Sequence, residues 1–180
     1  MKIILHEGKD DKKYIKRVCE YLNIEVSDEN FYEMGSKSTF FKEDNPIYSM
    51  IKNDPRVEKI LFVIDADYKK DNSIYGGYEN SQRELIKIID NLELKSISDF
   101  YIACDPKTKD GYFETLFYSC VPEDLKKCYN SFMDCSKFKA KQNYKTIITK
   151  LHELSSPSKP YSFDHENFDE LKEKLINLFN

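Results

Sequence analysis

Lys59-Ile60-Leu61-Phe62-Val63-Ile64-Asp65-Ala66-Asp67-Tyr68-Lys69-Lys70-Asp71 is the stretch on which the reading of this chain turns. The unbroken apolar run from Ile60 to Ile64 predicts a strand covered on both faces, as in a parallel sheet. Two carboxylates, Asp65 and Asp67, follow it directly. Burying either one inside the sheet would cost several kcal/mol, roughly 2–7 for even an uncharged polar group. They therefore belong where the strand leaves the core, at its carboxyl end. That edge is where ligands bind in open α/β sheets. Paired acids there suit a magnesium ion that keeps part of its hydration shell for phosphates. Asp is also common in turns, so Asp65-Ala66-Asp67 alone is a weak signal.

Outward from that strand the pattern repeats. Ile3, Ile4 and Leu5 predict a first strand, ending at Glu7-Gly8. A helix follows, with Tyr14, Ile15, Val18, Tyr21 and Leu22 on one face and Asp11 in its first turn. There Asp11 also suits the helix dipole, and Gly8 offers a tight turn. Phe31–Met34 reads as a second strand. Pro46 opens a short helix ending near Asn53. Beyond the organising strand, Lys69 to Gly77 is polar and reads as a mobile loop. Ser81-x-x-Glu84 reads as a capping box opening a helix with Leu85, Ile86, Ile89 and Leu92 inward. Phe100–Cys104 is the fourth strand, and Phe113–Phe117 begins another helix. Strand and helix alternate four times, which predicts an α/β layer fold with a mainly parallel four-stranded sheet.

The remainder is expected to be helical. Tyr144, Ile147, Ile148, Leu151 and Leu154 mark one face. Asn167-x-x-Glu170 reads as the cap of a last helix carrying Phe168, Leu171, Leu175, Leu178 and Phe179 inward. The expected division is a layered domain over residues 1–118 and a helical extension over 119–180 packed on it.

Composition limits the function classes. The chain has 180 residues, a net charge of −4, 13 Tyr and 12 Phe, a profile of a folded globular protein. No apolar run approaches the roughly 20 residues of a membrane span, and the start of the chain does not read as a signal peptide. The five cysteines, with no Cys-x-x-Cys pair, fit reduced thiols and a cytoplasmic location better than disulfides or zinc. The acidic balance does not advertise nucleic-acid binding. Yet between Lys126 and Lys150 there are seven lysines against one acid, Asp134. This segment reads either as a solvated helical face or as a phosphate-binding patch beside an acidic site.

Glu7, Asp65, Asp67 and Glu114 all fall at or just beyond the carboxyl ends of predicted strands, with Asp11 one helical turn from Glu7. Clustered without compensation, each like-charged pair would cost roughly 4 kcal/mol at about 4 Å and an effective dielectric of about 20. A divalent cation removes that conflict, and two cations about 4 Å apart would suit in-line attack on a phosphodiester.

Glu7-Gly8-x-x-Asp11 after the first strand and Ile64-Asp65-Ala66-Asp67 after a later one resemble the Toprim domain. That domain is shared by topoisomerases, bacterial primases, small ribonucleases, recombination mediators and OLD-type nucleases. Gly111-Tyr112-Phe113-Glu114-x-Leu116 looks most like the OLD-type and short stand-alone Toprim-like proteins. The resemblance covers roughly residues 1–118 and is faint beyond. It implies a Toprim-like, Rossmann-like layer fold and a metal-dependent nuclease or other phosphodiester-processing protein acting on DNA or RNA. It further implies Mg2+ or Mn2+ at Glu7, Asp11, Asp65, Asp67 and Glu114, with Glu7 as acid/base or ligand. Lys139 or Lys141 would steady the transferring phosphate, the choice between them open. Lys9 and Lys37 would touch nucleic acid or be ordinary surface lysines. The alternative is a silent module that binds nucleic acid or a partner protein such as an ATPase.

Neighbouring acid-bearing folds fit less well. A phosphoacceptor receiver wants Ser or Thr after strand four, where this chain has Cys104-Asp105-Pro106. Haloacid dehalogenase-type phosphatases carry Asp-x-Asp after the first strand. No tyrosine reads as a strand-passage nucleophile. His6, next to Glu7, points by strand alternation to the opposite face and is not expected to be catalytic. Tyr68, Tyr75 and Tyr78 either stack on bases or pack in a polar loop.

Overall fold

The structure is a computed structural model, and it describes residues 1–136, 141–155 and 163–180. Four parallel strands form one sheet: β1 (Lys2–His6), β2 (Phe31–Glu33), β3 (Lys59–Asp65) and β4 (Ser98–Ala103), in the spatial order β2-β1-β3-β4. The registers Ile4↔Phe31, Ile4↔Leu61 and Phe62↔Phe100 fix the ladder. The fold is therefore α/β with an all-parallel four-stranded sheet. β3 lies between β1 and β4, which is why its middle residues are apolar without alternation.

Side-chain alternation splits the core into two layers. On one face Ile4, Leu61, Val63 and Tyr101 pack under α1 (Lys9–Tyr21), α5 (Phe113–Ser119), Tyr129 and Met133 of α6 (Glu123–Ser136), α7 (Lys141–Ser155) and α8 (Asp169–Phe179). On the other, Ile3, Leu5, Phe62 and Ile64 pack under α2 (Lys37–Phe40), α3 (Pro46–Asn53) and α4 (Tyr78–Asn91). Burying a side chain such as Phe62 is worth about 1.5–3 kcal/mol, and both layers are built from such residues. Leu171, Leu175 and Leu178 of α8 join the same cluster as the strand residues Ile4 and Leu61. The core is thus continuous across position 118. Among the described residues, no helix is long and apolar enough to cross a membrane.

Several local expectations need correction. α4 begins at Tyr78 behind Gly77, whose φ of 84° suits glycine. Ser81 is therefore not its cap; it lies inside the helix, fully buried. The last helix is preceded by a 3-10 turn over Glu166–Phe168, capped by His165, whose ring accepts the Asn167 N–H at 3.2 Å. Asn167 instead donates through its side chain to Ser119 Oγ at 2.8 Å. Gly8 has φ −139° and ψ 176°, an extended conformation open to any residue, so no tight turn demands it. A Cβ built there would meet only Asp11 Oδ2, at 3.9 Å, an ordinary van der Waals distance, so space does not demand glycine either.

The segment 68–77 is tied down, not loose. Asn72 Oδ1 accepts from the N–H groups of Ile74 and Tyr75, at 3.1 and 3.0 Å. The Gly76 N–H donates to Asn72 O at 2.9 Å, and Asn80 Nδ2 donates to Gly76 O at 2.9 Å. Tyr68 and Tyr75 pack edgewise or tilted on Tyr112 and Phe41, with ring centres 5.3 and 5.2 Å apart. Just before this segment Asp67 takes a left-handed φ of 59° and pairs with Gly111, φ 99°. Asp67 N–H donates to Gly111 O at 2.7 Å and Gly111 N–H returns to Asp67 O at 3.0 Å. A side chain on Gly111 would collide with Thr115 Oγ1 at 2.4 Å.

Candidate functional site at the carboxyl edge of the sheet

Because β1 and β3 are adjacent and parallel, with His6 opposite Val63, Glu7 arrives beside the end of β3. Its Oε1 accepts the Asp65 N–H at 3.0 Å. The two motifs, 58 residues apart, thus meet through one hydrogen bond. Asp11 is nearly buried in the first turn of α1, and its Oδ2 accepts the Gly8 N–H at 2.8 Å. Asp65 Oδ1 accepts from the Phe113 N–H at the start of α5, at 3.0 Å. Glu114, 1 % exposed, accepts from the Tyr14 hydroxyl at 3.0 Å through Oε1. Each of these four acids has one oxygen held by a donor from the protein. The second oxygen of Glu7, Asp11 and Asp65 takes no hydrogen bond among the described residues, while that of Glu114 faces Lys145 Nζ at 3.3 Å.

The electrostatics carry the mark of crowding. Burial, above all, pushes Glu7 up to about 8; Lys37 opposes the shift, while Asp67 and Asp11 add to it. Burial likewise lifts Asp11 to about 6, with the Gly8 N–H opposing and Glu114 reinforcing. Asp65 is held well above the carboxylate range by burial, then by Asp11, Glu7 and Glu114, against Lys145. Lys145 is itself pushed up: burial works against its charge, but Glu114, Asp65 and Asp11 override it. Glu7, Asp11, Asp65 and Glu114 are therefore within electrostatic reach of one another, around the edge where β1, β3 and β4 end.

Asp67, with its left-handed backbone, also bears on Glu7, whose proton affinity it raises. Its Oδ2 pairs with Lys37 Nζ at 3.1 Å. Lys37 is not the surface lysine expected from its type. It is 5 % exposed and also donates to Ala66 O at 2.7 Å, to Ser81 Oγ at 2.8 Å and to Tyr75 O at 3.2 Å. Its ammonium is committed to the protein interior, which corrects the expectation that it touches nucleic acid. Lys9 is exposed at the start of α1. Lys139 lies outside the described residues, and Lys141 opens α7 with its side chain outside that description. His6 is buried against Phe31, ring centres 6.0 Å apart, and its Nδ1 meets Gly8 O at 2.9 Å.

Sequence reasoning missed Lys145 and Tyr14 as members of this site. Lys145 stacks over Tyr112, 4.6 Å from the ring centre, and faces Glu114. Tyr14 binds Glu114 and also meets Thr149 Oγ1 at 3.2 Å, so α1, α5 and α7 are cross-linked at this point. Helical spacing held the signal: Lys145 stands three and seven residues before the buried Ile148 and His152.

The donor set consists of carboxylate oxygens, hard ligands that match Mg2+ or Mn2+ better than zinc or copper. Among the described residues, no three Asp, Glu, His or Cys side chains converge into a ready-made metal cage. The fit to a cation therefore lies in the chemistry and crowding of Glu7, Asp11 and Asp65, not in a closed coordination shell. Of the cysteines, Cys19 and Cys104 are buried fillers, whereas Cys128 and Cys135 are exposed; all five are free thiols.

No curated protein and no solved structure matches the chain. A family model does match residues 1–153, described as a protein of unknown function, DUF3226. With most of its length under that model, the chain belongs to the DUF3226 family.

Proposed function

We propose that this protein is a metal-dependent phosphodiester-processing protein, a nuclease that acts on DNA or RNA. The observation that carries the reading is the Glu7–Asp65 contact of 3.0 Å, which joins the Glu7-Gly8-x-x-Asp11 and Asp65-Ala66-Asp67 motifs at one sheet edge. Glu7, Asp11 and Asp65 would hold Mg2+ or Mn2+ through the oxygens left over from their hydrogen bonds. An ion bound there would offset the clustered negative charge, acidify a water and stabilise charge on a phosphoryl oxygen. Glu7 is pushed up to about 8 by burial and its acidic neighbours; an ion at its free oxygen would favour the carboxylate form, so in this reading Glu7 serves as a ligand. Lys145, with 43 % of its side chain exposed, is the lysine suited to meet negative charge growing on the phosphate, in the role first sought at Lys139 or Lys141. Asp67 supports the edge from the Lys37 side.

Purified protein given Mg2+ or Mn2+ should nick plasmid DNA or cut RNA, and EDTA should stop it. The double substitution Asp65→Asn, Asp67→Asn should remove the activity; cleavage at the unsubstituted rate would reject the assignment.

A second reading has its own support. Lys37 and Lys145 already neutralise Asp67 and Glu114, and the acids form no closed cage among the described residues. A module of that kind would bind nucleic acid or a partner such as an ATPase without cutting. Calorimetric titration with Mn2+ separates the two: heat lost in Asp65→Asn favours the nuclease, and no heat from the unsubstituted protein favours the silent module.

A further inference from the structure

His6 precedes Glu7 in the chain, yet strand alternation sends its side chain to the face of β1 that it shares with Ile4, the face under α1. Its ring is buried there and reaches the start of that helix, where Nδ1 lies 2.9 Å from Gly8 O. A carbonyl only accepts, so Nδ1 carries the proton and donates it. Nε2 is then a bare acceptor, buried with no hydrogen-bond partner among the described residues. An unpaired acceptor in the interior costs stability, and an apolar side chain of similar size would fill the space without that cost. Burial also lowers the pKa of His6, against the pull of the Gly8 carbonyl and of Glu33. The ring is therefore held neutral, and what it supplies beyond packing is the Nδ1–H.

That N–H falls on the loosest point of the first motif. Gly8 has a backbone that any residue can adopt and space for a Cβ, so glycine brings only its freedom to this turn. Hydrogen bonds must then hold it. Met34 N–H donates to His6 O at 2.8 Å and Gly35 N–H to Glu7 O at 3.0 Å, which fixes the chain as far as Glu7. The Gly8 N–H is taken by Asp11 Oδ2 at 2.8 Å. The Gly8 carbonyl receives the Lys12 N–H at 3.3 Å, and its shorter bond comes from His6. We propose that His6 is a positioning residue: by holding the Gly8 carbonyl it sets the angle at which α1 leaves β1, and so keeps Asp11 on the Gly8 N–H and within reach of Glu7. The consequence for a metal rests on the metal-dependent reading of the site; the consequence for the turn does not.

The test uses the full chain and reads the turn and the metal separately. Amide hydrogen exchange is followed by NMR in EDTA, with the Gly8 rate taken relative to that of Ile4 in the core of β1. His6→Leu and His6→Phe should each raise that ratio about five- to tenfold, the worth of one hydrogen bond. His6→Asn places an amide N–H one bond beyond Cγ, where Nδ1 stands, and should keep the ratio within about twofold of the unsubstituted value. The smaller Asn leaves a void and should lower the melting temperature, so stability and positioning move in different orders. Phe31→Leu removes the ring that packs on the imidazole and leaves the Gly8 carbonyl bonded; it should not change the ratio. Free Mn2+, read by electron paramagnetic resonance, should show affinity about tenfold weaker in the two apolar variants and restored in His6→Asn. An unchanged ratio in His6→Leu and His6→Phe would overturn the proposal. So would an equal rise in Phe31→Leu, or Mn2+ affinity lost as fully in His6→Asn as in the apolar variants. An unsubstituted chain that binds no Mn2+ but shows the exchange pattern keeps His6 as the pin of this turn and loses the metal reading.

Discussion

Two lysines meet the acids of this molecule from opposite faces of the sheet, and they do so in opposite ways. Lys37, from α2, has 4 % of its side chain exposed and four oxygens within 3.2 Å: Asp67 Oδ2, Ala66 O, Ser81 Oγ and Tyr75 O. Lys145, from α7, has 43 % exposed, one carboxylate at 3.3 Å and the face of Tyr112. Lys37 is the main charge opposing the proton affinity of Glu7; Lys145 plays that part for Asp65. The difference teaches which cation is available. A buried ammonium with every N–H spent holds architecture, because freeing it would leave Asp67 without its cation. A half-exposed one can trade a carboxylate for a phosphate at small cost.

The largest effect should come from Lys37→Met. It leaves Asp67 without its cation, while Ala66 O keeps the Gly77 N–H and Tyr75 O keeps the Ser81 hydroxyl; urea unfolding should show a loss of about 3–5 kcal/mol. A loss below about 1 kcal/mol, the level of an exposed pair, would erase the contrast between the two lysines. Lys145→Met should cost less stability, about 1–2 kcal/mol for the acceptor it leaves at Glu114, but should slow metal-dependent cleavage on the order of 100-fold. If cleavage survives while the fold weakens, Lys145 is a second structural cation and the comparison breaks.

The acids themselves sharpen it next. Glu7 and Asp11 titrate higher in the folded chain, about 8 and about 6, than their ordinary 4.5 and 3.8. The folded state therefore holds protons that the unfolded state has released. The stability they contribute is complete at acid pH and is lost as pH rises to about 8. Thermal melts in EDTA should fall by several degrees over that window, and Mg2+ or Mn2+ should flatten the fall. A melt that climbs with pH would mean that these carboxylates are not crowded. The smallest effect belongs to Tyr14→Phe, which removes the hydroxyl shared by Glu114 and Thr149. It should cost about 1 kcal/mol, and the pH dependence of cleavage should shift.

The sheet was legible because burial on both faces writes itself as unbroken apolar runs, and Ile60–Ile64 is such a run. The meeting of Glu7 with Asp65 was legible too, since parallel neighbours bring their strand ends to one edge. What escaped depended on tertiary partners. Lys37 sits in a helix of four residues, too short for periodicity to say which way it faces. Ser81 has the spacing of a cap, yet Gly77 had already turned the chain into α4. Asp67 looks like a twin of Asp65 in the sequence. Only the left-handed turn at Asp67 shows that the two acids serve different neighbours. Among seven lysines between 126 and 150, helical spacing from Ile148 and His152 puts Lys145 on the buried side of its helix, but it does not say that Glu114 lies beneath.

The reciprocal pairing of Asp67 with Gly111 has a mechanical consequence. Two residues past Gly111 stands Phe113, whose N–H grips Asp65, and Glu114 follows it. The strap leaving β4 is thereby buckled to the strap leaving β3. Through these bonds the positions of Asp65, Asp67 and Glu114 are set together, so this rim of the protein is built as a single piece.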